Sequence, residues 1–139
     1  MNQKYYSQDL NKIVDSHCHL DFKDFDDDRD KIISNAKMTN VDYFLTISVN
    51  LEDFQNVYKV TQKYNNIWCT TGIHPNNVSL KINPTQLESI QSKILANLKN
   101  KKVVGLGETG LDFFRGEENR TNQIESFMLH LFLSGDKKY

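Results

Sequence analysis

Four short apolar runs rich in β-branched and aromatic residues, each followed by residues at helical spacing, constrain this chain more than any other feature. The runs cover 13–20, 41–49, 67–75 and 102–108. The second, Val41-Asp42-Tyr43-Phe44-Leu45-Thr46-Ile47-Ser48-Val49, predicts a strand buried on both faces, as in a parallel sheet. After the first three runs come Ile32, Ile33 and Ala36, then Leu51, Phe54, Val57, Tyr58, Thr61 and Tyr64, then Leu87, Ile90, Ile94 and Leu98. After the fourth come Ile124, Phe127, Met128 and Leu131 on one helix face. Such connections are too long for hairpins and imply right-handed crossovers between parallel strands. The fold class is α/β, with about four βα units, and the pattern alone fits either a small doubly wound sheet or part of a barrel.

Local signals agree with this division. Asp26, Asp27 and Asp28 put acidic residues at the start of the first helix, where they complement its dipole. Asn83, Pro84 and Gln86 read as N-cap, first helical residue and the side chain that reaches back to the cap. Gly105 and Gly107 alternate in the fourth run and predict close approach of a neighbouring backbone or a bound group. No GxGxxG or Walker pattern follows any strand, which argues against dinucleotide or P-loop nucleotide binding.

With 139 residues, 17 Lys+Arg against 18 Asp+Glu and 38% hydrophobic residues, the chain has material for one domain with a modest core. A net charge of −1 neither predicts nor excludes a nucleic-acid partner, because phosphate can be held by metal ions and a few local groups. Residues 1–12 form a polar leader without a targeting pattern, and no apolar run is long enough to span a bilayer. Cys18 and Cys69 lie in strand-like runs without zinc-finger spacing, so the expectation is two buried thiols in a reducing, cytoplasmic setting.

The chemistry gathers at the ends of these strands. His17 and His19 are two residues apart, so on a strand they share a face and form a bidentate grip for a metal. His74 ends the third run before Pro75, and Glu108 ends the fourth. Parallel α/β folds place chemistry at the carboxyl ends of their strands, so neighbouring strands would bring these four side chains to one mouth. Each residue alone reads as a half-exposed strand end; together they read as a mixed N/O site for a divalent ion.

Asp15-Ser16-His17-Cys18-His19-Leu20-Asp21, Gly72-Ile73-His74-Pro75 and Gly107-Glu108-Thr109-Gly110-Leu111-Asp112 resemble the three N-terminal signature motifs of the TatD-like metal-dependent deoxyribonucleases. Order and spacing match, and Gln123 with Phe127 and Leu131 resembles the helix that follows the third motif. The resemblance implies a (β/α)8 barrel of the amidohydrolase type that hydrolyses phosphodiester bonds in DNA with one or two divalent ions, Mg, Mn or Zn. It implies His17, His19 and Glu108 as metal ligands, His74 beside the scissile phosphate, and Asp15, Asp21 and Asp112 as residues that orient the ligands. Arg115 is then expected to contact phosphate, and Phe113 or Phe114 to stack on a base.

A barrel of this kind needs roughly 250 residues, and the family's later strands bring two further histidines and an aspartate to the metals. The expectation is therefore an N-terminal half barrel, a fragment spanning 13–139, with His130 outside the metal motif. Gly135-Asp136 is expected to break the last helix. Open edges on the first and fourth strands would favour a homo-oligomer that covers them. Two other readings are a non-catalytic remnant of such an enzyme and an amidohydrolase-type enzyme with another substrate.

Overall fold

The structure is a computed structural model that describes residues 12–115 and 117–135. Most of the polar leader and the tail from Asp136 lie outside the described residues. The four runs form one parallel sheet in the order β1-β2-β3-β4, with β1 at Ile13–Cys18, β2 at Val41–Thr46, β3 at Ile67–Thr71 and β4 at Val103–Leu106. Each strand is followed by a helix: α1 at Arg29–Met38, α2 at Phe54–Lys63, α3 at Pro84–Asn97 and α4 at Arg120–Gly135. The expected α/β repeat is thus present, with sequential strands as neighbours. No helix among the described residues is long and apolar enough to cross a membrane.

One face of the sheet carries the core. Phe44 and its register partner Ile67 pack with Ile33 of α1, Val60 of α2 and Leu20. Cys69 and Val103 pack with Phe54 and Val57 of α2, Ile94 of α3, and Leu98. The second strand was expected to be buried on both faces, and this is corrected. Phe44 and Thr46 are buried, but Tyr43 on the opposite face is 36% exposed, because none of these helices covers that side. Register shifts interrupt β1 between Asp15 and Cys18, so the strand stops one residue short of His19.

Both helix starts carry the residues expected there: a capping box at α3, and acidic residues at α1, with Asp28 at the cap position and Asp30 in the first turn. At α3, Asn83 Oδ1 accepts from the Gln86 amide and Gln86 Oε1 accepts from the Asn83 amide, each at 2.9 Å, and Pro84 opens the helix. At α1 the cap position is Asp28, whose side chain makes no cap hydrogen bond. Asp26 instead accepts from Arg29 at 2.7 Å. α4 is helical to Gly135, and Asp136, the other half of the expected break, lies outside the described residues.

Close packing occurs where the alternating glycines predicted it, but the glycine that permits it lies on the neighbouring strand's outlet. A Cβ on Gly72 would sit 2.6 Å from the Gly107 carbonyl carbon and 2.8 Å from the Glu108 oxygen. Gly107 itself meets nothing tight and is required for another reason, its φ of +150°. The Gly107–Glu108 peptide is cis.

Candidate metal centre

The first two ligands come from the outlet of β1. Asp15 Oδ1 accepts from the His17 amide at 3.1 Å and steadies the backbone before the pair. The His17 and His19 rings lie edge to face with centroids 5.3 Å apart. His19 Nδ1 sits 3.1 Å from the Ile47 carbonyl, which can only accept, so this nitrogen carries the proton and Nε2 keeps its lone pair for a ligand role. Phe22 stacks on the same ring at 4.8 Å and walls one side of it.

Glu108 arrives from the outlet of β4. Its amide donates to the Ser48 carbonyl at 2.8 Å, and the preceding Gly107 amide donates to the Thr71 carbonyl at 2.9 Å, so the loop is tied to the end of β3 and to the segment after β2. The carboxylate lies between two imidazoles: Oε2 is 3.6 Å from His17 Nε2 and Oε1 is 3.8 Å from His74 Nε2. His17, His19 and Glu108 each offer a ligand atom, all within 4.8 Å of one another. Two imidazole nitrogens and a carboxylate at this spacing fit a divalent ion with positions left for water or substrate. Cys18, between the two histidines, turns its Sγ to the Leu45 carbonyl at 3.4 Å, and burial, aided by Asp15 and Asp21, pushes its thiol up to about 12.

His74 joins the cluster in a different state. Its Nδ1 accepts from the Asn76 amide at 3.1 Å, closing a 3-10 turn at Pro75–Asn77. In the neutral ring the proton is therefore on Nε2, the atom that faces Glu108, so His74 presents a donor where His19 presents a lone pair. Its backbone leaves the strand extended, with φ −59° and ψ 141°, as the following proline requires.

The three remaining carboxylates hold backbone and loops. Among the described residues their hydrogen bonds do not reach the histidine rings or the Glu108 carboxylate. Asp21 accepts from Thr46 Oγ1 at 3.4 Å, and Thr46 Oγ1 accepts from the Leu20 amide at 3.1 Å, which ties the loop after His19 to β2. Burial raises the Asp21 carboxyl above its ordinary range. Asp112 accepts from Asn76 Nδ2 and from the Arg115 amide and guanidinium, each at 3.2 Å. Desolvation works against ionisation of Asp112, yet the Asn76 and Arg115 hydrogen bonds outweigh it and hold the carboxyl below the usual range.

Beyond Asp112 the loop opens to solvent. Phe114 is 96% exposed, the Arg115 side chain is tethered at Asp112, and the Phe113 ring lies under the Arg120 guanidinium at 4.1 Å. Sequence reasoning missed three supports. Arg29 donates to the Leu20 carbonyl at 2.5 Å and to that of Phe22 at 3.2 Å, bracing the loop behind His19. Gln123 grips the backbone of Asp112, and His130 meets Ile73. An arginine just after an acidic run carries a weak signal for such a brace; Gln123 is marked by the family resemblance of its helix but not for this contact, and a His inside an apolar helix carries none.

The TatD related DNase family matches residues 14–138. The chain is 31% identical over 123 residues to a metal-dependent hydrolase of Buchnera aphidicola, covering 86% of this chain and 47% of that protein. It is 29% identical over 122 residues to the 3'-5' ssDNA/RNA exonuclease TatD of Cronobacter turicensis, covering 88% of this chain and 44% of the relative. The crystal structure of YjjV, a TatD homologue from Escherichia coli, superimposes with a TM-score of 0.76 at 27% identity, over 89% of this chain and 47% of that one. The chain thus spans about half the length of the relatives it matches, and its four parallel βα units correspond to about half of a TatD-type TIM barrel. With the family match running from β1 through α4 and taking in all three motifs, the chain belongs to the TatD-related DNase family.

Proposed function

We propose that this chain carries the divalent-metal grip of a hydrolase that cleaves phosphodiester bonds in DNA. Family membership and the printed activity of the Cronobacter relative support the reaction class. The observation that carries the reading is the position of the Glu108 carboxylate between His17 and His74, beside the free Nε2 of His19. His17, His19 and Glu108 would hold the ion. A divalent ion bound there supplies Lewis-acid polarisation of a phosphoryl oxygen and a lowered water pKa.

The chain's own groups do the positioning. His74 Nε2–H donates to a non-bridging phosphate oxygen, a role its fixed tautomer supports. Asp15 keeps the His17 backbone in place, Asp21 anchors the loop behind His19, and Asp112 holds Asn76 and Arg115 at the rim. Arg115 offers guanidinium donors to a flanking phosphate, and the exposed Phe114 offers a face to an unpaired base. Phe113 serves less directly, since Arg120 already covers its ring. The setting is cytoplasmic, a reading supported by two free thiols.

The test compares the chain with Glu108→Ala in two assays: calorimetric Mn²⁺ binding, and Mn²⁺- or Mg²⁺-dependent nucleotide release from end-labelled single-stranded DNA. The expected result is binding and release by the chain and loss of both in the variant. Equal release by the two proteins would mark a contaminating nuclease and defeat the reading.

A further inference from the structure

We propose that His130, on α4, is a positioning residue for His74: by accepting the Ile73 amide it fixes the backbone from which the His74 ring is aimed at Glu108. The proposal rests on the functional reading above, in which His74 meets the substrate.

His130 is buried, and both of its ring nitrogens are engaged. Nδ1 lies 2.7 Å from the Ser126 carbonyl one helical turn back, an oxygen that only accepts, so Nδ1 carries the proton. Nε2 is left with its lone pair, and it accepts from the Ile73 amide at 3.3 Å. Burial lowers the basicity of the ring, which keeps it in the neutral, accepting form.

Ile73 follows the end of β3 and immediately precedes His74. The next amide, that of His74, donates to the Val49 carbonyl at 2.9 Å. Two consecutive amides are therefore held by different parts of the fold, one by a side chain of α4 and one by the loop after β2. The His74 ring is then locked through Nδ1 by Asn76, whose own side chain is held by Asp112. Asp112 in turn has its amide and carbonyl gripped by Gln123, seven residues before His130 on the same helix. One helix thus braces the outlet of β3 directly and the loop after β4 through a neighbouring contact.

A simpler role would be to satisfy a buried amide, which any acceptor of the right reach could do. The two roles differ in what happens to His74 when the acceptor is removed. NMR of the 15N-labelled chain, His130→Phe and His130→Gln separates them. In the wild-type chain we expect a coupling across the hydrogen bond between the Ile73 nitrogen and His130 Nε2, and a His74 ring in the Nε2–H tautomer. In His130→Phe the His74 ring shifts move toward the average of the two tautomers and the Ile73 amide exchanges about 10-fold faster. His130→Gln, whose carbonyl can replace the acceptor, restores both. The His19 tautomer stays unchanged throughout.

In the single-stranded DNA assay, His130→Phe lowers kcat on the order of 100-fold with KM little changed, and Gln restores it. Absence of the coupling in the wild-type chain, or a wild-type His74 ring in folded His130→Phe, overturns the proposal. Should His130→Phe fail to fold, His130→Gln decides. A protected Ile73 amide with an averaged His74 ring overturns the link, and a protected amide with the Nε2–H tautomer supports it. The spectroscopic readouts need no turnover. A chain that shows the His74 response but releases no nucleotide therefore keeps the positioning role and ends the DNase reading.

Discussion

Helices α2 and α4 are built on opposite plans. In α2, Phe54, Val57 and Val60 go into the core, with Thr61 buried beside them and returning its hydroxyl to the Tyr58 carbonyl, and Gln55, Asn56, Lys59, Gln62 and Lys63 face water. In α4 the buried positions are Gln123, Ser126, His130 and Leu133, while Ile124, Met128, Leu131 and Phe132 are exposed. Both helices bury a face at ordinary helical spacing, but they cover different surfaces. α2 lies on the side chains of a sheet, where apolar area must be removed from water. α4 reaches the same apolar core through Leu133, but the rest of its buried side lies on loops at the strand outlets, where amides and carbonyls need partners: Asp112 gets both from Gln123, and Ile73 gets one from His130. Which residues a helix must bury is set by what lies beneath it.

The sharpest way to break this contrast is to empty the apolar side. Phe54 is buried, stacks on Tyr58 at 5.9 Å and packs in the larger core cluster. Phe54→Ala should cost about 3–5 kcal/mol of folding stability, read from urea unfolding. A loss below about 1 kcal/mol would mean that α2 does not carry the core in the way its burial implies.

The same contrast separates what could be read in the sequence from what could not. The strands were legible because β-branched runs bounded by helical spacing have few other uses, and Asn83, Pro84 and Gln86 announced α3 through local chemistry alone. His17, His19, His74 and Glu108 were legible as a group because each lies at or just past the end of an apolar run, and the parallel sheet brings them to one edge. The inward face of α4 was not. Periodicity picked Ile124, Phe127, Met128 and Leu131, a true stripe that turns out to face mostly solvent. Gln123 and His130, buried there, answer to backbone groups of Asp112 and Ile73, 11 and 57 residues away in sequence, and hydrophobic spacing carries no record of those. His130 could be placed outside the metal motif, but its partner Ile73, 57 residues away, could not be foreseen. Gly105 and Gly107 likewise pointed to a crowded neighbourhood without identifying Gly72 as the position where a side chain cannot fit.

A second prediction uses acid to sharpen the comparison, because only α4 buries a titrating side chain among the two helices. Burial depresses the His130 pKa in the folded state, so the unfolded chain takes up its proton first, near the ordinary value of about 6.5. Below that pH the unfolded state binds more protons than the native state, and stability falls as pH falls, until the folded-state pKa is reached. The slope from this one group is at most about 1.4 kcal/mol per pH unit. Urea midpoints measured from about pH 7 down to about pH 5 should show a steeper fall in the wild-type chain than in His130→Gln. Parallel profiles would show that the imidazole is not held neutral, and the polar face of α4 would lose its best-defined member.

The smallest effect is expected on the outer face of α4. Met128 is 58% exposed in the middle of that helix, and lysine is a comparably good helix former, so Met128→Lys should change stability by no more than about 0.5 kcal/mol. Phe132, one turn on and 59% exposed, extends the same apolar stripe. The substitution asks whether that stripe is bare in solution. If α4 is inverted as described, a charge at Met128 meets water and costs almost nothing, whereas a charge at Val57, the buried position midway along α2, would have to be desolvated in the core. A cost above about 1.5 kcal/mol at Met128, rising with protein concentration, would mean that another surface covers the stripe. α4 would then be apolar-buried on one side and polar-buried on the other, and the contrast with α2 would become one between a helix with one partner surface and a helix with two.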